Sequence, residues 1–220
     1  MFSYKFDSSK FLRAMIMVGL FVALGIVLQA FSIQLPLMRI GISPIPTIIS
    51  GMMLGPVWGG ITGLLKDMVG FIVAPPAQGS FFPPITLIQV LYGALPPLLL
   101  PLYRKPVDWI WGKIIGAKPE SNKHRRFNWV AGLSARLITC YLVVATTQFI
   151  NGALLMPAAL NLLFDGQVTW SLWAARFTAR IPQQISFLLG YPFLTYTILE
   201  ALGRVPARMR FHEVALSRHS

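Results

Sequence analysis

Arg176, Arg180, Gln183 and Gln184 recur at spacings of three and four, so a helix through them carries one polar stripe. The planar guanidinium forks of such a stripe suit a carboxylate or phosphate, and the amides suit the donor–acceptor edge of a heterocycle. Interfacial anchoring is the alternative, and the stripe's expected place at the outer face argues against it. This is the chemistry of capture rather than of bond breaking. Lys66 and Asp67 form a second charged position, adjacent in an apolar run and about 100° apart on a helix, so they pair with other helices rather than with each other. They serve there either as internal struts or as ligand contacts. Gln89, Tyr92, Gln148 and Asn151 add polar groups on two further apolar segments. Phe81-Phe82 offers a surface to stack on a flat ligand or a plug packed against helix ends. Arg39 stands alone before an apolar run, while Arg136, close to a basic segment, snorkels towards headgroups or meets a partner subunit and receives no ligand role.

Equipment for catalysis is sparse. His124, His212 and His219 all fall in basic segments, no HExxH or GxSxG is present, and Asp67 has no second acid at membrane depth to form a dyad. Cys140 is the lone cysteine, inside an apolar segment, and reads as a small core residue. These residue types imply no metal and no cofactor. No GxxxxGK[ST] loop occurs, so a nucleotide that drives this chain is hydrolysed by a partner.

The elements that position these groups are set by lipid. With 55% hydrophobic and 12% charged residues, the chain is too apolar to hide its surface in one soluble core. The net charge of +12 is gathered between long apolar runs rather than over a polar face, which argues for topology and against nucleic acid. Hydropathy predicts a single all-α membrane domain over 1–220, with helices at about 11–31, 44–55, 57–73, 85–103, 129–155 and 172–202 and a cytoplasmic loop at 104–128. The first run reaches roughly 31 Å and lacks a small-x-small cleavage site, so it reads as a retained helix. Gly55-Pro56 separates helices two and three, and Gly51, Gly55, Gly59 and Gly63 form a small-residue series suited to close backbone packing. Residues 74–84 hold four prolines and no charge and form a stiff loop. Pro96, Pro97 and Pro101 are expected to kink or thin helix four near its end. The stretch 156–171 reads as a mixed, amphipathic connection with a turn at Asp165-Gly166.

Orientation follows from lysine and arginine. The basic groups lie before helix one, between helices four and five, and after helix six, so six helices place all three on one side, with both termini in the cytoplasm. The nearly neutral segments 32–39, 74–84 and 156–171 then face outward, and the head of helix six lies at the outer face.

The run Leu37-Met38-Arg39-Ile40-Gly41, followed by Pro46, Ile49-Ser50-Gly51-Met52-Met53-Leu54-Gly55-Pro56-Val57-Trp58-Gly59-Gly60 and Asp67, resembles the folate-type substrate-binding S components of energy-coupling factor (ECF) transporters. Gly79-Ser80-Phe81-Phe82-Pro83 and Arg176 at the head of helix six fit the same pattern. The resemblance implies a six-helix subunit of an importer of the ATP-binding-cassette type. Such a subunit binds a vitamin at its outer face, folate first and cobalamin or pantothenate next. It associates with a membrane scaffold, the T component, and two ATPases. It further implies that small residues of helix one meet the scaffold, for which Gly19 and Ala23, with Ala14, are the candidates here. Arg39, Asp67, Phe81, Phe82, Gln89, Tyr92, Gln148, Asn151, Arg176, Arg180 and Gln183 are the candidate substrate contacts. An intramembrane enzyme and a scaffold binding only lipid or protein are the competing classes, and a prokaryotic cell membrane is the expected location.

Overall fold

The computed structural model describes residues 8–34, 39–73, 82–115, 125–167 and 169–203. They form six helical rods. Helix α1 is Ser8–Ala30, and a short antiparallel pair follows, β1 (Ile33–Gln34) against β2 (Arg39–Ile40), in which Ile33 faces Ile40 and Gln34 faces Arg39. Helix α2 is Pro44–Leu54, α3 is Pro56–Val73 and α4 is Pro83–Ile115. Helix α5 (Arg125–Gln148) passes through a π-helical segment, Phe149–Leu155, into α6 (Met156–Asp165), and α7 is Trp170–Gly203. Among the described residues, the parts of the chain long and apolar enough to cross a membrane are Phe11–Ala30, Pro56–Val73, Pro83–Ile110 and Arg136–Asp165. Helix α2 is apolar but only 11 residues long. Helix α7 has ample length at 34 residues, and its arginines and glutamines lower its hydropathy.

Helix α2 begins inside the protein, and its sequence makes that tolerable. Residues Ile45 to Gly51 are all buried. A buried helix start strands its first N–H groups unless they are absent or paired. Pro44 and Pro46 have no N–H, and the Ile45 N–H is bound to the Ile42 carbonyl at 3.1 Å. At the other end Gly55 takes φ +96, a conformation a side chain disfavours, and Pro56 starts α3 at once. The expected break between helices two and three lies there.

Glycines set the spacing of α2, α3 and α4. A methyl group on Gly51 would lie 1.9 Å from the Gly93 carbonyl oxygen, and one on Gly59 would lie 2.3 Å from the same atom. A methyl on Gly63 would meet the Gln89 carbonyl at 2.1 Å, so backbones touch directly where the small-residue series predicted close packing. Gly55 is the exception in that series, since its Cβ position is open and its role is the turn. Ser50 and Thr62 hydroxyls bond across the same α2–α3 seam at 2.7 Å. The apolar core gathers Phe21, Ile48, Ile88, Tyr92, Cys140, Val144, Phe187 and Tyr191 from five of the rods. Cys140 is buried there, as its apolar context suggested.

Two expected boundaries are corrected. Helix α4 does not end near Tyr103 but runs on to Ile115, with Pro96, Pro97, Pro101 and Pro106 inside it, and α5 begins at Arg125, so most of the expected loop 104–128 is helical. Each proline removes one backbone bond yet keeps a helical φ, and membrane helices absorb this through their neighbours. The exposed end of α4 has local support: Arg104 and Asp108 pair at 3.7 Å, and the Lys113 ammonium lies over the Trp109 ring. The second correction concerns 156–171, expected to be a connection. Its first part is α6, continuous with the π segment because Leu155 and Met156 both hold right-handed helical angles. The predicted turn is confirmed at Gly166, which caps α6 in the left-handed conformation with φ 70.

Candidate functional site

Three rods bring polar side chains together in the core. The Tyr92 hydroxyl on α4 donates to Gln148 Oε1 at the end of α5 at 3.0 Å, and Gln148 Nε2 donates to Gln184 Oε1 on α7 at 3.1 Å. The phenol uses the carbonyl side of Gln148, which turns its NH2 towards α7 and gives the chain a direction. Tyr92 and Gln148 are 7% and 2% exposed, so these bonds form in a low-dielectric setting where they hold geometry firmly. Arg180 lies within electrostatic reach of both Tyr92 and Arg176. Two guanidinium groups in mutual range favour an anion beside them.

The π segment supplies the wall of this cluster. A π turn admits one residue more than an α turn, here shown by the Met156 N–H bound to the Asn151 carbonyl. Gly152, on that turn, leaves its Cβ position to the amides of Gln184 and Gln148, whose nitrogens lie 2.7 and 2.8 Å from it. Asn151 is fully buried, and neither Oδ1 nor Nδ2 has a hydrogen-bond partner among the described residues.

A second polar cluster lies on α3 and α4. Lys66 is 2% exposed, and its ammonium donates to the Ser43 carbonyl at the head of α2 and to Gln89 Oε1, both at 3.2 Å. Its aliphatic stem crosses α1 where Gly25 leaves room, 2.9 Å from the Cβ position. Asp67 turns elsewhere and accepts from the Thr86 hydroxyl at 2.6 Å. The adjacent charges therefore make these bonds to other helices, both reaching α4 and Lys66 also the head of α2, as their angular separation predicted. Gln89 and Tyr92 are three residues apart on α4, so this helix carries a member of each cluster. Tyr191 stacks on Phe187 and donates to the Gly41 carbonyl, tying α7 to the strand-to-α2 connection.

The third group closes the α6–α7 turn. Arg176 Nη2 donates to Asp165 Oδ2 at 2.8 Å, and the guanidinium lies 5.4 Å from the Phe164 ring centre. Arg176 Nη1 is buried and makes no hydrogen bond among the described residues. Beside it Trp170, Trp173 and Phe177 stack in sequence at 5.1 Å spacings, and Trp173 donates to the Leu154 carbonyl.

The structure thus joins Tyr92, Gln148 and Gln184 and brings Arg180 within electrostatic reach of Tyr92, while Arg176 sits at the α6–α7 turn within reach of Arg180. It assigns Gln89 to the lysine cluster and Asp67 to Thr86. Gln183 is buried, and Phe82 packs against the apolar core. Arg39 is described only in its backbone, and Phe81 lies outside the described residues. Arg136 is exposed at the far end of α5 from the glutamine chain. Of the helix-one candidates, Gly19 and Ala23 are exposed and Ala14 is partly so; the Cβ position of Gly19 is open. Sequence reading missed the placement of Gly152 and the buried Asn161, whose amide atoms also lack partners among the described residues. The available signal for Asn161 is one amide inside the apolar run Leu160-Asn161-Leu162. A shallow groove between α3 and α4, lined by Val57, Ile61, Leu64 and Ala94 among others, is almost wholly apolar and offers nothing to a charged solute.

Comparison with known proteins places this arrangement. A folate transporter FolT of Clostridium novyi (strain NT) is 40% identical over 89 residues, 38% of this chain and 51% of that protein, so the chain spans about half the length of the curated relative it matches. The fold resembles a solved structure described as the crystal structure of FolT bound with folic acid, with a TM-score of 0.58, 21% identity, and coverage of 86% of this chain and 94% of that one. Residues 13–199 match the family model described as ECF transporter, substrate-specific component, and with nearly the whole chain inside that match the protein belongs to the substrate-specific components of ECF transporters.

Proposed function

We propose that this chain captures folate at the outer face of a prokaryotic cell membrane and delivers it inward with an ECF T component and two ATPase subunits. The observation that carries the reading is the hydrogen-bonded chain Tyr92–Gln148–Gln184, with Arg180 within electrostatic reach of Tyr92 and Arg176 within reach of Arg180 at the head of α7. Folate is a flat hydrogen-bonding ring joined to a tail with carboxylates, and this cluster offers amides for the one and guanidinium groups for the other. The FolT of Clostridium novyi supports the choice of vitamin, and its source supports the choice of membrane. The positive-inside bias supports the orientation, since with both termini in the cytoplasm the head of α7 faces outward. Pantothenate has no ring for the amides, and cobalamin is far larger, so both rank below folate.

Energy has to come from elsewhere. Concentrating a solute needs a driving reaction, and no nucleotide motif is present in the sequence. The test is copurification followed by mass spectrometry of bound small molecules, with uptake measured in liposomes holding this chain alone. A folate retained by the pure protein, without accumulation in the liposomes, is the expected result. Concentrative uptake by the chain alone overturns the partner requirement, and protein that neither retains nor binds a vitamin overturns capture.

A further inference from the structure

We infer that Asn151 is the specificity-determining residue that reads the hydrogen-bonding edge of the ligand's ring, its class being a planar heterocycle with a lactam-type donor and acceptor side by side. This inference rests on the folate reading and deepens it. Three observations carry it. Asn151 is fully buried with both amide atoms lacking a hydrogen bond among the described residues. Folding rarely leaves a whole amide unpaired in an apolar interior, and a ligand that arrives later is one partner that satisfies it.

Asn151 also stands on the π segment, one residue before the glycine against which Gln148 and Gln184 rest. Seven-residue π segments interrupting a helix are rare and concentrate at functional sites, because the inserted residue re-aims its neighbours at the expense of regular bonding. Finally, the glutamines of the cluster are partly committed. Gln148 accepts from Tyr92 at Oε1 and donates through Nε2 to Gln184 Oε1, so a single bond links the two glutamines. Beside them Asn151 keeps a full donor–acceptor pair to present. An amide pairs with a lactam edge through two parallel bonds, N–H to carbonyl oxygen and oxygen to ring N–H, and a buried pair of this kind rejects rings that lack the edge.

The test compares wild-type protein with Asn151→Leu, a substitution with the same branching and heavy-atom count but without polar atoms. Competition binding is measured for three ligands: folic acid, pterin as the ring alone, and p-aminobenzoyl-glutamate as the tail alone. Thermal unfolding of the ligand-free protein is followed in parallel. The inference expects Asn151→Leu to weaken folic acid and pterin by the same factor, roughly tenfold to a hundredfold, and to leave the tail fragment unchanged. It also expects the ligand-free unfolding temperature to hold or rise, because an unpaired amide is replaced by an apolar group. A structural asparagine gives the opposite signature, with unfolding temperature lowered and all three ligands weakened together, and that result overturns the inference. Wild type that binds folic acid while Asn151→Leu binds it equally well overturns the inference alone. Wild type that binds none of the three removes the folate reading and this inference with it.

Discussion

Arg176 Nη2 donates to Asp165 Oδ2 at 2.8 Å, fastening the head of α7 to the end of α6 across the left-handed turn at Gly166. Among the described residues only half of the guanidinium fork is used, since Nη1 is buried without a hydrogen bond there. Asp165 holds the arginine in place, and in the proposed capture of folate the other edge takes a carboxylate of the ligand. Arg176→Ala is therefore expected to weaken folate binding by roughly tenfold to a hundredfold, the worth of one charge-assisted bond. Arg176→Lys restores part of it, keeping charge without the planar fork. Titration calorimetry on variants checked for equal folding measures this, with Arg136→Ala as the unaffected control. Unchanged affinity in Arg176→Ala assigns the arginine to the turn alone.

Gly152 tests the geometry of the glutamine chain without removing any of its groups. An alanine methyl there falls 2.7 Å from Gln184 Nε2 and 2.8 Å from Gln148 Nε2, closer than such atoms approach. Gly152→Ala is expected to displace both amides and lower affinity by about tenfold, while Gly19→Ala, whose Cβ position is open, leaves binding and stability unchanged. Calorimetry with thermal unfolding distinguishes the two. Wild-type affinity in Gly152→Ala means that the chain can shift without loss and does not order the site.

The α2–α3–α4 seam gives a stability prediction. Gly51→Ala and Gly93→Ala each bring a methyl to 1.9 Å from a backbone carbonyl oxygen of the facing helix, and a backbone cannot yield as a side chain can. Each is expected to destabilise by about 3 kcal/mol or more, read as a loss of folded protein or a large drop in unfolding temperature. Gly25→Ala meets only the flexible stem of Lys66, at 2.9 Å, and is expected to do less harm.

Lys66 is a strut on four helices. Its stem lies against Gly25 of α1, its ammonium binds Ser43 at the head of α2 and Gln89 of α4, and its own backbone is in α3. Lys66→Ala leaves a buried cavity and strips a donor from two acceptors, for a loss of about 2 to 4 kcal/mol. Lys66→Met keeps most of the stem and recovers the packing share. Chemical or thermal unfolding of the two variants checks the order, and equal stability of alanine and wild type contradicts the strut.

Six rods were legible in the sequence because lipid imposes long apolar runs and basic residues mark one side. The Gly55-Pro56 break and the Asp165-Gly166 turn were legible for local reasons, a left-handed glycine and a proline at a helix start. The extension of α4 to Ile115 was not, because Pro96, Pro97, Pro101 and Pro106 read as breakers while neighbouring helices absorb their cost. Polar residues at the site were named individually from their apolar settings. Their grouping was hidden, since Tyr92, Gln148 and Gln184 come from three helices and meet only through tertiary packing. The π segment leaves no mark in hydrophobic periodicity, so the significance of Gly152 emerges only from its neighbours.

Titration calorimetry of the purified wild-type protein with folic acid tests the central claim most directly. Saturable binding at one folate per chain, weakened in Arg176→Ala and unchanged in Arg136→Ala, is the predicted result. The absence of saturable heat for folic acid from folded protein, or equal binding by all three proteins, contradicts it.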